Sequence, residues 1–188
     1  MATSVAGKPL PQAVTEQLVA KTDGVPLFVE ELTKMVLESG QLEDRGARFE
    51  LRGSLPALAI PSTLQDSLMA RLDRLGPTKE VAQLGATLGR EFTYELLAAL
   101  SPLGPESLDQ ALTELVHAEL LYQRGSPPHS TYTFKNTLIQ EAAYYSLLRT
   151  KRRQYHRGVA QALEKGFPET VAAQPELLAY HYGEAGIA

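Results

Sequence analysis

Apolar residues along this chain keep helical spacing in most places and strand spacing in a few. From Pro11 onward, Val14, Leu18 and Val19 recur three to four residues apart, one face of an amphipathic helix that Asp23-Gly24 ends. Pro26 suits the first turn of a second helix, in which Leu27, Phe28, Leu32, Met35, Val36 and Leu37 hold the period as far as Gly40. Between Gln41 and Pro61 the period fails, and charge, glycine and proline mark a connector with a short strand over Arg48 to Arg52. Ser62 suits the N-cap of a third helix, whose Leu64, Leu68, Leu72 and Leu75 form a leucine stripe ending at Gly76-Pro77. A subdomain boundary falls there.

Three helical segments follow, Thr78 to Leu88, Thr93 to Leu100 and Pro105 to Ala118. Two stretches of strand character come next, Leu120 to Gln123 and Thr131 to Phe134, separated by the turn-rich RGSPPHS. Three helices before a two-stranded hairpin is the order of elements in a winged helix. Helices over Thr137 to Leu148, Lys151 to Gly166 and Pro175 to Gly183 complete the pattern, the last carrying Leu177, Leu178 and Tyr182. No internal repeat of about 20 to 50 residues is present, although the last helix has the form of the first half of a repeat array. The expected fold class is therefore mainly α. A helical bundle spans 11–76, a winged-helix-like module with one small β-hairpin 77–150, and C-terminal helices 151–188. Residues 1–10 read as a flexible lead-in outside the core.

Composition narrows the function. With 188 residues the chain holds one ordinary domain or two small ones, too few for a Rossmann oxidoreductase with its substrate domain or for a (β/α)₈ barrel. Leucine and alanine dominate an apolar fraction of 44%, which favours helix packed on helix. A net charge of −4 argues against a dedicated polyanion binder. No cysteine is present, so thiol nucleophiles, disulfides and Cys-ligated metals are excluded. The amino terminus lacks a charged and then apolar leader, and no apolar run reaches the ~18 to 20 residues of a membrane span, so a cytoplasmic protein without membrane contact is expected. A G-x-x-x-x-G-K-[ST] phosphate loop is absent: Gly7-Lys8 is followed by Pro9.

Five blocks, in order, carry a resemblance. TDGVPLFVEEL (Thr22 to Leu32) resembles the G-x-P-L-F-V-E-E-L motif in the helical lid of STAND ATPases, the AAA+-related signal-transduction NTPases. PSTLQDSLMARLDRL (Pro61 to Leu75) is similar to the stretch that follows it there, and GATLGREF (Gly85 to Phe92) to the start of the next helical module. YTFKNTLIQEAAYYSLLRTKRRQYHRGVAQALE (Tyr132 to Glu164) resembles the family's Y-x-F-R-H-A-L-I-Q-E-A-A-Y block, and LLAYHYGEAG (Leu177 to Gly186) the entry to its tetratricopeptide-type region. The subgroup suggested is the large ATPase regulators often fused to class III adenylate or guanylate cyclase domains. The resemblance implies that 11–76 is the lid and 151–188 the start of the TPR-like region. It also implies that the Walker-bearing core, with its ATP or ADP and Mg, and any cyclase domain belong to the parent upstream or beyond this stretch. No cofactor is expected in the chain itself.

The same resemblance implies nucleotide-facing roles, in the parent, for Gly24, Pro26 and Asn136. The plain reading of Gly24-Val25-Pro26 is one helix ending and another beginning; the nucleotide reading uses the unpaired amides and flat proline of that helix start. Asn136 stands where the family usually has histidine against the β-phosphate of ADP. It can donate or accept a hydrogen bond but carries no charge, and its plain reading is a helix cap. Glu30 and Glu31, about 100° apart on a helix, do not converge and read as a solvated face. Arg71 and Arg74 read as surface ion pairs, with a sensor arginine reaching a γ-phosphate as the alternative.

Five cations lie within the nine residues from Arg149 to Arg157. A winged helix beside them invites DNA binding, but the third helix, which would enter the groove, carries Glu106, Asp109, Glu114 and Glu119 and no Lys or Arg. His117, His129, His156 and His181 lack close ligand spacing, and no Ser-His-Asp or G-x-S-x-G arrangement stands out, so no catalytic or metal site is expected. The tyrosines read as packing and interface residues. The preferred function is a regulatory, non-catalytic segment of a signalling ATPase. Its partners would be the parent's own upstream core and effector, other proteins through the TPR-like region, and a second copy by self-association. The alternatives are a winged-helix transcriptional regulator and a protein-interaction scaffold.

Overall fold

Helix α3 (Pro26–Glu38) is central to the first part of the chain, with buried residues spread over much of its circumference: Val29, Glu31, Leu32, Thr33, Met35 and Val36. The computed structural model describes residues 1–22, 25–52 and 64–187, so Gly24 and Ser62 lie outside the described residues, as do the side chains of Leu64 and Gln65. By its contacts the chain divides into two units, Met1–Arg74 and Leu75–Ala188.

In the first unit, α1 (Ala2–Ala6), α2 (Gln12–Thr22) and α4 (Leu64–Arg74) all pack on α3. Leu10, Val14 and Leu18 meet Leu32, Met35 and Val36 in one apolar cluster, with Ala2 and Ala6 against it. This corrects the reading of 1–10 as a lead-in outside the core. The segment is helical over Ala2–Ala6 and buries Leu10, because tertiary contact supports a helix too short to persist alone. The connector expected from Gln41 begins with a two-stranded antiparallel hairpin, β1 (Leu42–Asp44) with β2 (Phe49–Leu51), in the register Leu42 to Leu51. The Phe49 amide donates to the Pro9 carbonyl at 2.9 Å, and Lys8 pairs with Asp44 at 2.6 Å, so the amino-terminal segment is tied to the hairpin.

The second unit runs α5 (Thr78–Leu88), β3 (Glu91–Thr93), α6 (Tyr94–Leu100), α7 (Pro105–His117), β4 (Leu121–Ser126), β5 (His129–Phe134), α8 (Thr137–Tyr145), α9 (Arg149–Gly166), α10 (Pro168–Ala173) and α11 (Pro175–Ala185). The sheet is antiparallel in the order β3-β5-β4. Strand β3, three residues inside GREFT, is not signalled by any local pattern, and its ladder (Glu91 to Thr133, Phe92 to Tyr132) makes the expected hairpin a three-stranded sheet. RGSPPHS is mostly strand; only Pro127-Pro128, joined by a cis peptide, turns the chain. Gly125 makes this possible: at φ 82 its missing Cβ would stand 2.7 Å from the His129 carbonyl oxygen.

Phe92 and Tyr132 stack at 5.9 Å, Phe134 lies 5.9 Å from Phe92, and all three are buried. Around them Leu97, Leu108, Leu112, Leu115, Leu120 and Leu121 complete an interior of helix faces laid on a sheet. Helix α9 packs on α5, α6 and α11, so the residues from 151 onward share this unit's core and do not form a separate body. The protein is mainly helical with two small sheets. No helix among the described residues is long and apolar enough to cross a membrane.

Candidate functional site

Of the three residues singled out by the sequence, Pro26 and Asn136 are described, one in each unit. Pro26 is exposed at the first turn of α3, after Val25 at φ −63 and ψ 117, and no side chain caps that helix start. Asn136 is the N-cap of α8: its Oδ1 accepts from the Ile139 amide at 2.9 Å, leaving the Nδ2 amide for any further partner.

The two glutamates after Pro26 part company. Glu30 pairs with Lys34 at 2.9 Å one turn on, whereas Glu31 is 1% exposed and bonded to Arg71, itself buried. Arg71 Nε also lies 3.6 Å from Glu38. Glu31 is therefore not on a solvated face, and Arg71 is not a surface ion pair. Packing of α4 on α3 encloses both, and a charge enclosed in this way needs its partner. Arg74 fits the expectation better, lying part-exposed 3.7 Å from Glu38. The acidic helix α7 likewise holds part of its charge in side-chain hydrogen bonds. Asp109 binds the Tyr94 hydroxyl and holds its pKa above the ordinary value, and Glu114 accepts from Thr78.

A polar network that the sequence did not announce joins α8, α9 and α11. His156 and His181 are fully buried and meet Nδ1 to Nδ1 at 2.8 Å. On the other side of its ring, His156 Nε2 is 3.0 Å from the Tyr144 hydroxyl, which donates to Glu184 at 3.4 Å. One set of tautomers satisfies the whole chain: His181 Nδ1–H donates to His156 Nδ1, His156 Nε2–H to Tyr144, and Tyr144 to the carboxylate. Both rings are then neutral. Burial lowers the pKa of each, that of His181 to about 4, where the neighbouring His156 adds to the effect. Burial also raises Tyr144 to about 12, so it keeps its proton. These groups are set to hold protons in fixed places, and nothing in their arrangement activates a nucleophile.

The signal for burial was nevertheless there. His156 stands three, four and seven residues before Val159, Ala160 and Leu163, on the apolar stripe of its helix, and His181 stands four before Ala185. What the spacing could not reveal is that the two stripes face each other. No group of three or more His, Cys, Asp or Glu able to hold a metal occurs among the described residues.

Beside this network, the start of α9 and the end of α11 enclose a cavity of about 240 Å³ lined by Tyr144, Arg149, Arg152, Arg153, Gly183 and Glu184. The Arg152 guanidinium lies over the rings of Tyr144 and Tyr145, 5.2 and 5.6 Å from their centroids. A larger cleft of about 510 Å³ opens where α9 passes α5 and the end of α6, with Val81, Leu84, Leu100 and Tyr155 in its wall and Lys151 and Arg157 among its polar groups.

No protein-family model matches the chain. An uncharacterized protein of Rhizobium meliloti (strain 1021) is 33% identical to it over 165 residues, which cover 87% of this chain and 16% of that protein. The chain thus spans a small part of the length of the relative it matches.

Proposed function

We propose that this chain is a regulatory, non-catalytic segment of a nucleotide-dependent signalling ATPase, which relays the ATP or ADP state of a separate core to an effector. The observation that carries this reading is the run of five motif blocks from Thr22 to Gly186, in family order, in a chain without a phosphate loop. A core with Walker motifs, ATP or ADP with Mg, and a class III cyclase effector belong to the parent under this reading. The parent works in the cytoplasm, and the segment's partners are that core and the effector, with α11 leading into a TPR-like region.

Three further observations support it. The chain forms two separate units, as a relay with a moving part requires. The order α5-β3-α6-α7-β4-β5 is that of a winged-helix module. The similar Rhizobium protein carries the matching segment as 16% of a longer chain. Pro26 on the lid and Asn136 Nδ2 at the start of α8 are the described groups left to meet a nucleotide held by the core.

The reading is tested by ATP turnover and nucleotide binding in the 188-residue chain alone. No hydrolysis is expected, and no ATP binding for which adenosine competes. Turnover, or an adenosine-competed site, would overturn it. The module order also fits a DNA-binding winged helix, but α7 has no Lys or Arg to set against phosphates. Specific DNA binding that survives near-physiological salt would favour that second reading.

A further inference from the structure

We propose that the cavity between the start of α9 and the end of α11 is a binding site for a phosphate group, gripped by Arg149, Arg152 and Arg153. The arginines of the first unit find carboxylates: Arg45, Arg48, Arg52, Arg71 and Arg74 each have one within 4.0 Å. Among the described residues, Arg149, Arg152 and Arg153 have none, although all three line one cavity of about 240 Å³. Cations gathered without counter-charge leave a local positive potential that a bound anion relieves.

The geometry is particular. Arg152 lies over the rings of Tyr144 and Tyr145, which confines its donor fork, and its fully buried Nε has no hydrogen-bond partner. Arg153 lies against Gly186 at the end of α11, and Arg149 comes from the first turn of α9. Three guanidinium groups at i, i+3 and i+4 on one face of α9 offer more donors than a two-oxygen carboxylate accepts and suit a tetrahedral dianion with at least three acceptor oxygens. Helix α9 starts without a side-chain cap, so its positive end adds to the same potential.

Glu184 is the opposing term. It is the one carboxylate in the lining, it accepts from Tyr144, and it reduces three positive charges to a net two. This gives the site a signature that non-specific attraction to a basic surface lacks: neutralising one particular acid should tighten binding.

The test is titration of the 188-residue chain with inorganic phosphate and with O-phosphoserine at constant ionic strength, followed by NMR of arginine side chains or by calorimetry. Saturable binding with a Kd below about 1 mM is expected. Tighter binding of the first ligand would identify the free ion as the natural type, and tighter binding of the second a phosphomonoester; either supports the site. Arg152→Gln should weaken binding about tenfold or more, and Glu184→Gln should strengthen it severalfold. Should Arg152→Gln lose its fold by circular dichroism, Arg153→Gln, at an exposed position, carries the same expectation. Failure to saturate, or binding unchanged in the arginine variants, would overturn the site. Adenosine has no phosphate and should not compete, which separates this outcome from the nucleotide test above.

Discussion

His156 Nδ1 and His181 Nδ1 lie 2.8 Å apart inside the second unit, so one proton serves two rings that stand 25 residues apart in sequence. Two buried imidazoles at this distance cannot both be charged, and the chain of donors through Tyr144 to Glu184 fixes where each proton sits.

The first prediction concerns acid stability. The folded-state pKa values of both histidines are lowered, that of His181 to about 4 from 6.5, so the unfolded chain takes up protons at a pH where the folded chain does not. Stability from the neutral pair is complete above pH 6.5 and is lost as pH falls toward 4. Thermal unfolding should move to lower temperature by several degrees across that window. His181→Asn, which hydrogen-bonds without titrating, should flatten the dependence; an unchanged slope would sink the assignment.

The second concerns the pair Glu31 and Arg71. Arg71→Met alone leaves the buried Glu31 carboxylate without its partner and should cost about 3 to 5 kcal/mol in urea unfolding of the first unit. Replacing both, Glu31→Leu with Arg71→Met, should recover most of that loss. A single variant costing less than about 1 kcal/mol would show that the pair is solvated after all.

Gly85 is the third. A Cβ there would stand 2.7 Å from the Phe92 ring, which cannot swing aside because Tyr132 and Phe134 hold it. Alanine gains about 1 kcal/mol of helix propensity but overpacks by about 1 to 3 kcal/mol, so Gly85→Ala should be neutral to destabilising. Adding Phe92→Leu should expose the propensity gain relative to Phe92→Leu alone. A more stable Gly85→Ala single variant would refute the close approach.

The fourth concerns the cap at Asn136. Asn136→Ala should cost about 1 kcal/mol in thermal unfolding through loss of the cap, whereas Asn136→Asp keeps an acceptor for the Ile139 amide and should cost little. Equal losses in both would mean that the cap oxygen contributes nothing.

Most helices were legible because burial on one face imposes a 3.6-residue period: α3, α5, α7 and α9 lie within a few residues of their expected bounds. Among the short elements, β2 and α6 fall within expected ranges, but three others were not legible. Strands β1 and β3 have three residues each, too few for a period of two to show, and exist because a partner strand completes their ladders. Helix α1 was missed for the same reason, since Ala2 and Ala6 count as core only once α3 lies beside them.

The sequence by itself determined the helical class, the punctuation at Gly76-Pro77, the cap at Asn136 and the absence of a phosphate loop. All of these depend on residues near one another in the chain. Tertiary structure alone decided that Glu31 finds Arg71 forty residues away, that His156 meets His181, and that three arginines converge on one cavity. Charge and protonation depend on what stands within a few ångströms, and packing of helices distant in sequence sets those neighbours.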